Sequence, residues 1–360
     1  MKWLGRIFLA LIVVALVASG AFVLFKRRIG ETLFAHAVEE NVGRDRAAEL
    51  PDGLHVYMCG TGAPMPDPNR AGACLAVLAG QRAFVFDVGS GSVRVLGRMG
   101  FPMQRLERVY LTHLHSDHFD GLGELMLQAW VGGGRDTPLP IAGPPGVSEV
   151  VDGFNHAYRI DSGYRIAHHG VEIANPAGYG GMAEEIAPPP PAGQVVFQDG
   201  DLSITAVPVS HAPVDHAYAY IVRYKDRAVA ISGDTTYNDN FVAAANGVDV
   251  MFHEALNEEM VAQIGAQAQA SGQRAFAKIM SDIPGYHTPP RDAARAAEAA
   301  HARELILYHV IPPMPGAILY DAYLGDAPRA FSGRMRIGED GMLVSLPAGL
   351  REISVTQAVR

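Results

Sequence analysis

From residue 55 onward, short apolar runs alternate with glycine and proline punctuation. Residues 55–59, 74–78, 83–87 and 108–111 read as a first set of strands. Residues 195–198, 202–209, 218–224 and 228–232 read as a second set, and 249–253 and 304–309 as two further strands. Helical patterns cover 119–130, an Ala- and Gln-rich stretch at 258–280, and RDAARAAEAA at 291–300, with Pro289 and Pro290 near its start. Strands in both halves, each half closed by helices, predict an α/β (α+β) chain of two packed sheets with helices outside. Residues 176–193, with four consecutive prolines at 188–191, read as a loop or lid.

The first 28 residues break this pattern. Residues 7–25 (IFLALIVVALVASGAFVLF) carry no charge. A run of that length reads as one transmembrane helix. It is too long for an ordinary signal-peptide core, and more apolar residues follow Ala18, Ser19 and Gly20, so secretion after cleavage ranks behind an uncleaved anchor. Lys2 and Arg6 precede the run and Lys26, Arg27 and Arg28 follow it, so the positive-inside rule gives no orientation. The usual signal-anchor arrangement would export the rest of the chain. The expected organisation is an anchor or signal segment at 1–28, a charged, helical linker at 29–53, and one catalytic domain at 54–350 with a variable insert at about 144–194.

Charge narrows the partners. Setting aside the five basic residues that flank the apolar run leaves 24 Lys and Arg against 38 Asp and Glu, a charge of −14. An acidic body with no basic run argues against nucleic acid and for a small-molecule ester substrate. Cys59 and Cys74 form no metal-type pair. A disulfide between them is conceivable in an exported body, but the simpler expectation is two small buried residues.

The chemistry concentrates in THLHSDH, residues 112–118. In an extended backbone His113 and His115 point the same way and make half a zinc site, and Asp117 and His118 follow in the turn. Three more candidates stand where apolar strands stop: His211, Asp234 and His309. A carboxylate such as Asp234 can bridge two metals. His168 and His169 lie in the insert and read as a polar loop, and His216 as a pocket neighbour. Phe154, Tyr158 and Tyr164, like Met126 and Trp130, read as packing.

Taken together these motifs resemble the metallo-β-lactamase-fold hydrolase superfamily, in its tRNase Z and arylsulfatase-like branch. CGTGAPMPDPNRAGA (59–73), VFDVGSG (85–91), FHEAL (252–256) and YHTPPRDAARAAEAAHARELILYHV (286–310) carry the likeness, which spans roughly residues 54–345. The resemblance implies an αββα sandwich holding two Zn2+ per chain, with Mn2+ or Fe as alternatives that the same ligand types accept. His113, His115 and His211 would hold the first ion, Asp117, His118 and His309 the second, and Asp234 would bridge them. A hydroxide between the ions would be the nucleophile, oriented by Asp117. His287 would protonate the leaving group and Glu254 would hold His287. Enzymes of this fold often form homodimers.

The resemblance does not fix the substrate. Residues 144–194 hold no long basic arm to clamp tRNA. The expectation is therefore an exported, membrane-anchored phosphodiesterase or arylsulfatase-like hydrolase. Lactone or other acyl hydrolysis is the alternative. A tRNA 3′-processing endonuclease, a non-catalytic zinc protein and a mononuclear iron oxygenase rank behind both.

Overall fold

A computed structural model describes residues 2–359. The chain divides into two compact units, Met1–Arg46 and Ala47–Arg360. The first is a single helix, α1 (Lys2–Asn41), long and apolar enough to cross a bilayer by length and composition. It runs unbroken through the basic cluster at 26–28 into the segment expected to be a linker. Its charged second half is itself a good helix, with Arg27 paired to Glu31 one turn on.

The second unit contains two sheets. The first is assembled from β1 (Gly53–Gly60), β2 (Cys74–Ala79), β3 (Arg82–Phe86), β4 (Leu106–Tyr110), β5 (Leu139–Gly143) and β6 (Gly181–Glu185). Its helices are α2 (Ser92–Met99), α3 (Leu122–Leu127) and α4 (Val147–His169). The second sheet uses β7 (Gln194–Asp199), β8 (Leu202–His211), β9 (Val214–Tyr224), β10 (Arg227–Ile231), β11 (Val250–Leu256) and β12 (Glu304–Ile311). Its helices are α5 (Asp239–Ala244), α6 (Glu258–Ala270), α7 (Arg274–Asp282), α8 (Pro290–Ala299) and α9 (Tyr320–Leu324). The strand β13 (Arg334–Ile337) completes the second sheet, and β14 (Met342–Pro347) and β15 (Ser354–Gln357) return to the first. The strand orders are β15-β14-β1-β2-β3-β4-β5-β6 and β13-β12-β11-β10-β9-β8-β7.

Alternation along each strand builds the layers. In β1, Leu54, Val56 and Met58, with Phe84 of β3, face the other sheet, where they meet Tyr220, Phe252 and Ile306. Tyr57 and Cys59 face the opposite way, onto Leu96 of α2 and Leu125 of α3. The outer face of the second sheet is covered by Phe241 of α5, the alanines of α8 and Tyr323 of α9. The result is the expected αββα sandwich. Strands β3 to β6 and β10 to β13 run parallel, with the rest of each sheet antiparallel. The loops after the carboxyl ends of parallel strands are where such sheets carry their sites.

Several elements differ from expectation. The segment 176–193, expected to be a loop or lid, contains the strand β6, and His168 and His169, expected in a polar loop, end the 23-residue α4. Only Val147, Val151 and Ser162 of α4 are buried, so it lacks a clear apolar stripe. The stretch 258–280 is two helices, broken at Gly272, which takes the left-handed conformation (φ +77°) that glycine tolerates best. Cys59 and Cys74 are joined by a disulfide rather than lying free. A register shift in the β1–β2 hairpin, with Met58 opposite Leu75 and Gly60 opposite Cys74, leaves Cys59 as the extra residue beside Cys74.

Candidate metal centre

The loop after β4 turns at once into a short helical turn (Ser116–His118), so the histidine cluster stays at the end of the sheet. His113 and His118 are fully buried and Asp117 nearly so, while His115 is open to solvent. Asp87, at the end of β3, holds this loop in shape. Its carboxylate accepts the Thr112 N–H and hydroxyl, each at 2.8 Å, and lies 2.8 Å from His118 Nδ1. Asp87 itself sits at φ +56°, a left-handed conformation open to Asp and Asn.

The distant candidates arrive at the same place. His211 ends β8, Asp234 follows β10, and His309 lies in β12 at φ +47°. His115 Nδ1 stands 3.0 Å from His113 Nε2 and 3.2 Å from His211 Nε2. Nitrogens bound at about 2.0–2.1 Å to one tetrahedral zinc ion lie about 3.3 Å apart, so these three fit one ion. Asp234 Oδ2 lies 3.4 Å from His118 Nε2 and from His309 Nε2, and 3.9 Å from His113 Nε2 and His211 Nε2. One oxygen therefore faces both halves of the cluster. Asp117 Oδ2 is 3.2 Å from His309 Nε2 and 3.4 Å from His118 Nε2.

Tautomers are set from behind. The Asp87 carboxylate accepts a hydrogen bond from His118 Nδ1–H, which turns Nε2 toward the cluster. The Tyr286 carbonyl, 2.9 Å from His211 Nδ1, does the same for His211. His118 Nε2 and Asp234 Oδ1 are buried without a hydrogen-bond partner. Buried polar atoms of that kind fit metal ligation.

Electrostatics agree with this. Burial lowers the pKa of His113 well below the ordinary value, and lowers those of His115 and His211 too, favouring the neutral imidazoles that metals take. Burial also opposes charge on His118, but Asp234, Asp87 and Asp117 outweigh it and raise its pKa well above the ordinary value. The Asp234 carboxyl is pushed up by burial and down more strongly by His309, His118 and His113, so it stays ionised. The carboxylates thus concentrate negative potential where cations would sit.

His287 and Glu254 lie alongside. His287 Nδ1 is 3.2 Å from Glu254 Oε1 and 4.0 Å from Asp234 Oδ2. Glu254 is fully buried in β11, and its Oε1 accepts the backbone N–H of Thr288 at 2.9 Å and of Thr235 at 3.3 Å. Burial disfavours charge on His287, yet Glu254 and Asp234 raise its pKa above the ordinary value. His168 and His169, exposed at the end of α4, belong to none of the metal-type clusters among the described residues.

Sequence reasoning missed one wall of the site. A cavity of about 450 Å³ opens beside His115, Asp117, Asp234 and His287, and its far side is formed by Met65, Phe276, Met280 and Tyr286. The one available signal was the apolar spacing of 276, 279, 280 and 283 in a stretch read only as helix.

Comparison with known proteins places these features in a family. The β-lactamase superfamily domain matches residues 84–310. Ribonuclease Z of Mycobacterium bovis (strain BCG / Pasteur 1173P2) is 34% identical over 296 residues, covering 80% of this chain and 96% of that protein. Ribonuclease Z of Mycobacterium avium (strain 104) is 34% identical over 289 residues, with the same coverage. In structure, the chain is similar to human tRNase Z, short form, with a TM-score of 0.58 at 20% identity over 81% of this chain and 99% of that one.

These relatives correct two expectations. A small-molecule phosphodiester or sulfate ester was ranked above RNA processing, and nucleic acid was argued against; the relatives are ribonucleases. The error lay in reading a whole-chain charge as a local one. Cations held in such a cluster would supply positive charge locally, whatever the charge elsewhere on the surface.

Proposed function

The chain belongs to the β-lactamase superfamily, on its ribonuclease Z branch, and from that premise we propose that it is a metal-dependent endonuclease cutting RNA phosphodiesters, with 3′-extended precursor tRNA as the first substrate to test. The observation that carries this is the convergence of four histidine nitrogens on Asp234 Oδ2, in a chain that aligns with 96% of a ribonuclease Z.

His113, His115 and His211 would hold one Zn2+, Asp117, His118 and His309 a second, and Asp234 would face both. When bound, the two ions would supply charge against the phosphate oxygens and an acidified water. The chain's own residues do the rest. Asp117, which borders the cavity, would accept a proton from the attacking water or orient it. Glu254, pinned by the Thr288 and Thr235 amides, keeps His287 charged and aimed. His287 then donates that proton to the departing oxygen.

The test is metal content and RNA cleavage by the full chain in detergent. About two metals per chain, with a precursor tRNA cut by the wild type and not by His115→Ala, is the expected result. Two bound metals with no RNA cleavage would overturn it.

We further propose that α1 anchors the chain in a bilayer with the body on the oxidising side, where exported or environmental RNA is the substrate it meets and precursor tRNA serves as the test substrate. The uncharged run at 7–25 supports the anchor and the Cys59–Cys74 disulfide supports the side. Carbonate extraction and protease accessibility of the body in sealed cells test both.

A further inference from the structure

We propose that α7 and Tyr286 form a base-binding wall, so that the cavity beside the metal centre takes an unpaired nucleobase next to the scissile phosphate. The proposal rests on the ribonuclease reading and names the part of the substrate that this chain grips.

The cavity has two chemically distinct sides. One is the charged centre with His287. The other is apolar, formed by Phe276, Ile279, Met280 and Ile283 of α7 and the following turn, together with Met65. These α7 positions are spaced three and four apart and so share one face. The cationic residues of α7 lie off that face, and Lys278 is spent on Asp282, one turn along the same helix. Among the described residues no lysine or arginine lines the cavity. Phosphate is ordinarily gripped by cationic side chains and helix amides, and beyond the metal centre this wall offers none. What it offers suits the flat, weakly polar face of a base.

The wall is built, not incidental. Met280 and Ile283 are buried against Leu256, Val261 and Ile311, which fixes α7 to the ends of β11 and β12. The Tyr286 ring lines the cavity, while its carbonyl oxygen accepts the His211 Nδ1 proton. The ring stands edge-on to His211 with centroids 5.2 Å apart. Its position is thus tied to the metal-binding histidines. Ile279 is half exposed at the mouth, a placement with no packing reason. A base seated there must leave its stack, so the cleaved bond lies in an unpaired stretch.

The experiment uses the full chain with Zn2+ and two versions of one cleavable RNA. One carries the normal base beside the scissile phosphate, and the other an abasic residue there. The wild type should cut the abasic RNA about tenfold or more slowly, the usual size of one lost base–aromatic contact. Phe276→Ala should lose a similar factor on the normal RNA and little more on the abasic one. Ile279→Glu, at a half-exposed position that tolerates the change, should reproduce that selective loss. Equal cutting of both RNAs by the wild type would overturn the wall, as would variants that slow both RNAs alike. No cutting of any RNA would sink the ribonuclease reading itself, which separates the two failures.

Discussion

Asp340 and Thr61 are 279 residues apart, yet Asp340 Oδ1 accepts both the Thr61 N–H at 2.9 Å and the Thr61 hydroxyl at 2.8 Å. Its other oxygen accepts the Ala71 N–H at 2.6 Å. One partly buried carboxylate therefore clamps both ends of the loop that brings Met65 to the cavity. The Thr61 carbonyl in turn accepts the N–H of Val310, the residue after His309. The clamp reaches the metal centre through a single strand residue.

This clamp predicts a pH dependence. Burial pushes the Asp340 carboxyl up to about 6, against the hydrogen bonds of Ala71 and Thr61 and the charge of Arg70. A carboxyl that holds its proton more tightly folded than unfolded stabilises the fold at low pH. That contribution is lost as pH rises from about 4 to about 6, a cost on the order of 3 kcal/mol at neutral pH. The Tm of Asp340→Asn should lack this fall. It should also be offset downward, because an amide nitrogen cannot accept from Ala71. Parallel melts at pH 4 to 7 read the difference, and identical slopes in the two proteins would refute it.

Asp87→Asn isolates the support behind the second half of the centre. Asn tolerates the left-handed backbone at this position, so the change is electrostatic rather than steric. The His118 Nδ1 proton loses its charged acceptor, and metal affinity at that half should fall about 10–100-fold. Competition with a chelator measures it. Unchanged affinity would mean that His118 is oriented by other contacts.

The disulfide closes the same active-site loop from its base. With a separation of 15 residues, its loss should cost about 3 kcal/mol on the chain-entropy view. Cys59→Ala with Cys74→Ala avoids burying new polar groups, since both positions are fully buried. A drop in Tm that reductant reproduces in the wild type but not in the double variant is the expected result.

How much of this was legible in the sequence depended on range. His113, His115, Asp117 and His118 lie in one turn, and each of His211, Asp234 and His309 ends an apolar strand, so position along the chain revealed them. Alternation in β1 to β4 and β8 to β12 was enough for two sheets. The strand β6 (GMAEE) has no apolar run, and α4 hides under a mixed face, so neither gave a pattern. The Cys59–Cys74 pairing required the hairpin register. The Asp340 clamp joins segments far apart in sequence, and only packing shows it; the apolar wall is local, within 276–286, but only packing places it beside the metal cluster. Nucleic acid was ranked low because net charge averages over a surface, whereas phosphate recognition is local.

His287 supplies the sharpest chemical test. Its contact with Glu254 at 3.2 Å and the raised pKa both point to a proton held for delivery. A ribose oxygen leaves poorly without one, so His287→Ala should slow RNA cleavage about 10²–10⁴-fold. A p-nitrophenolate leaves well unaided, and bis(p-nitrophenyl) phosphate turnover should fall far less. Glu254→Gln should give the same selectivity with a smaller loss, because the amide still accepts from Thr288 but no longer stabilises the charged imidazole. Measuring kcat for both substrates in both variants decides the matter. Equal losses on the two substrates would assign His287 to phosphate binding instead of proton transfer.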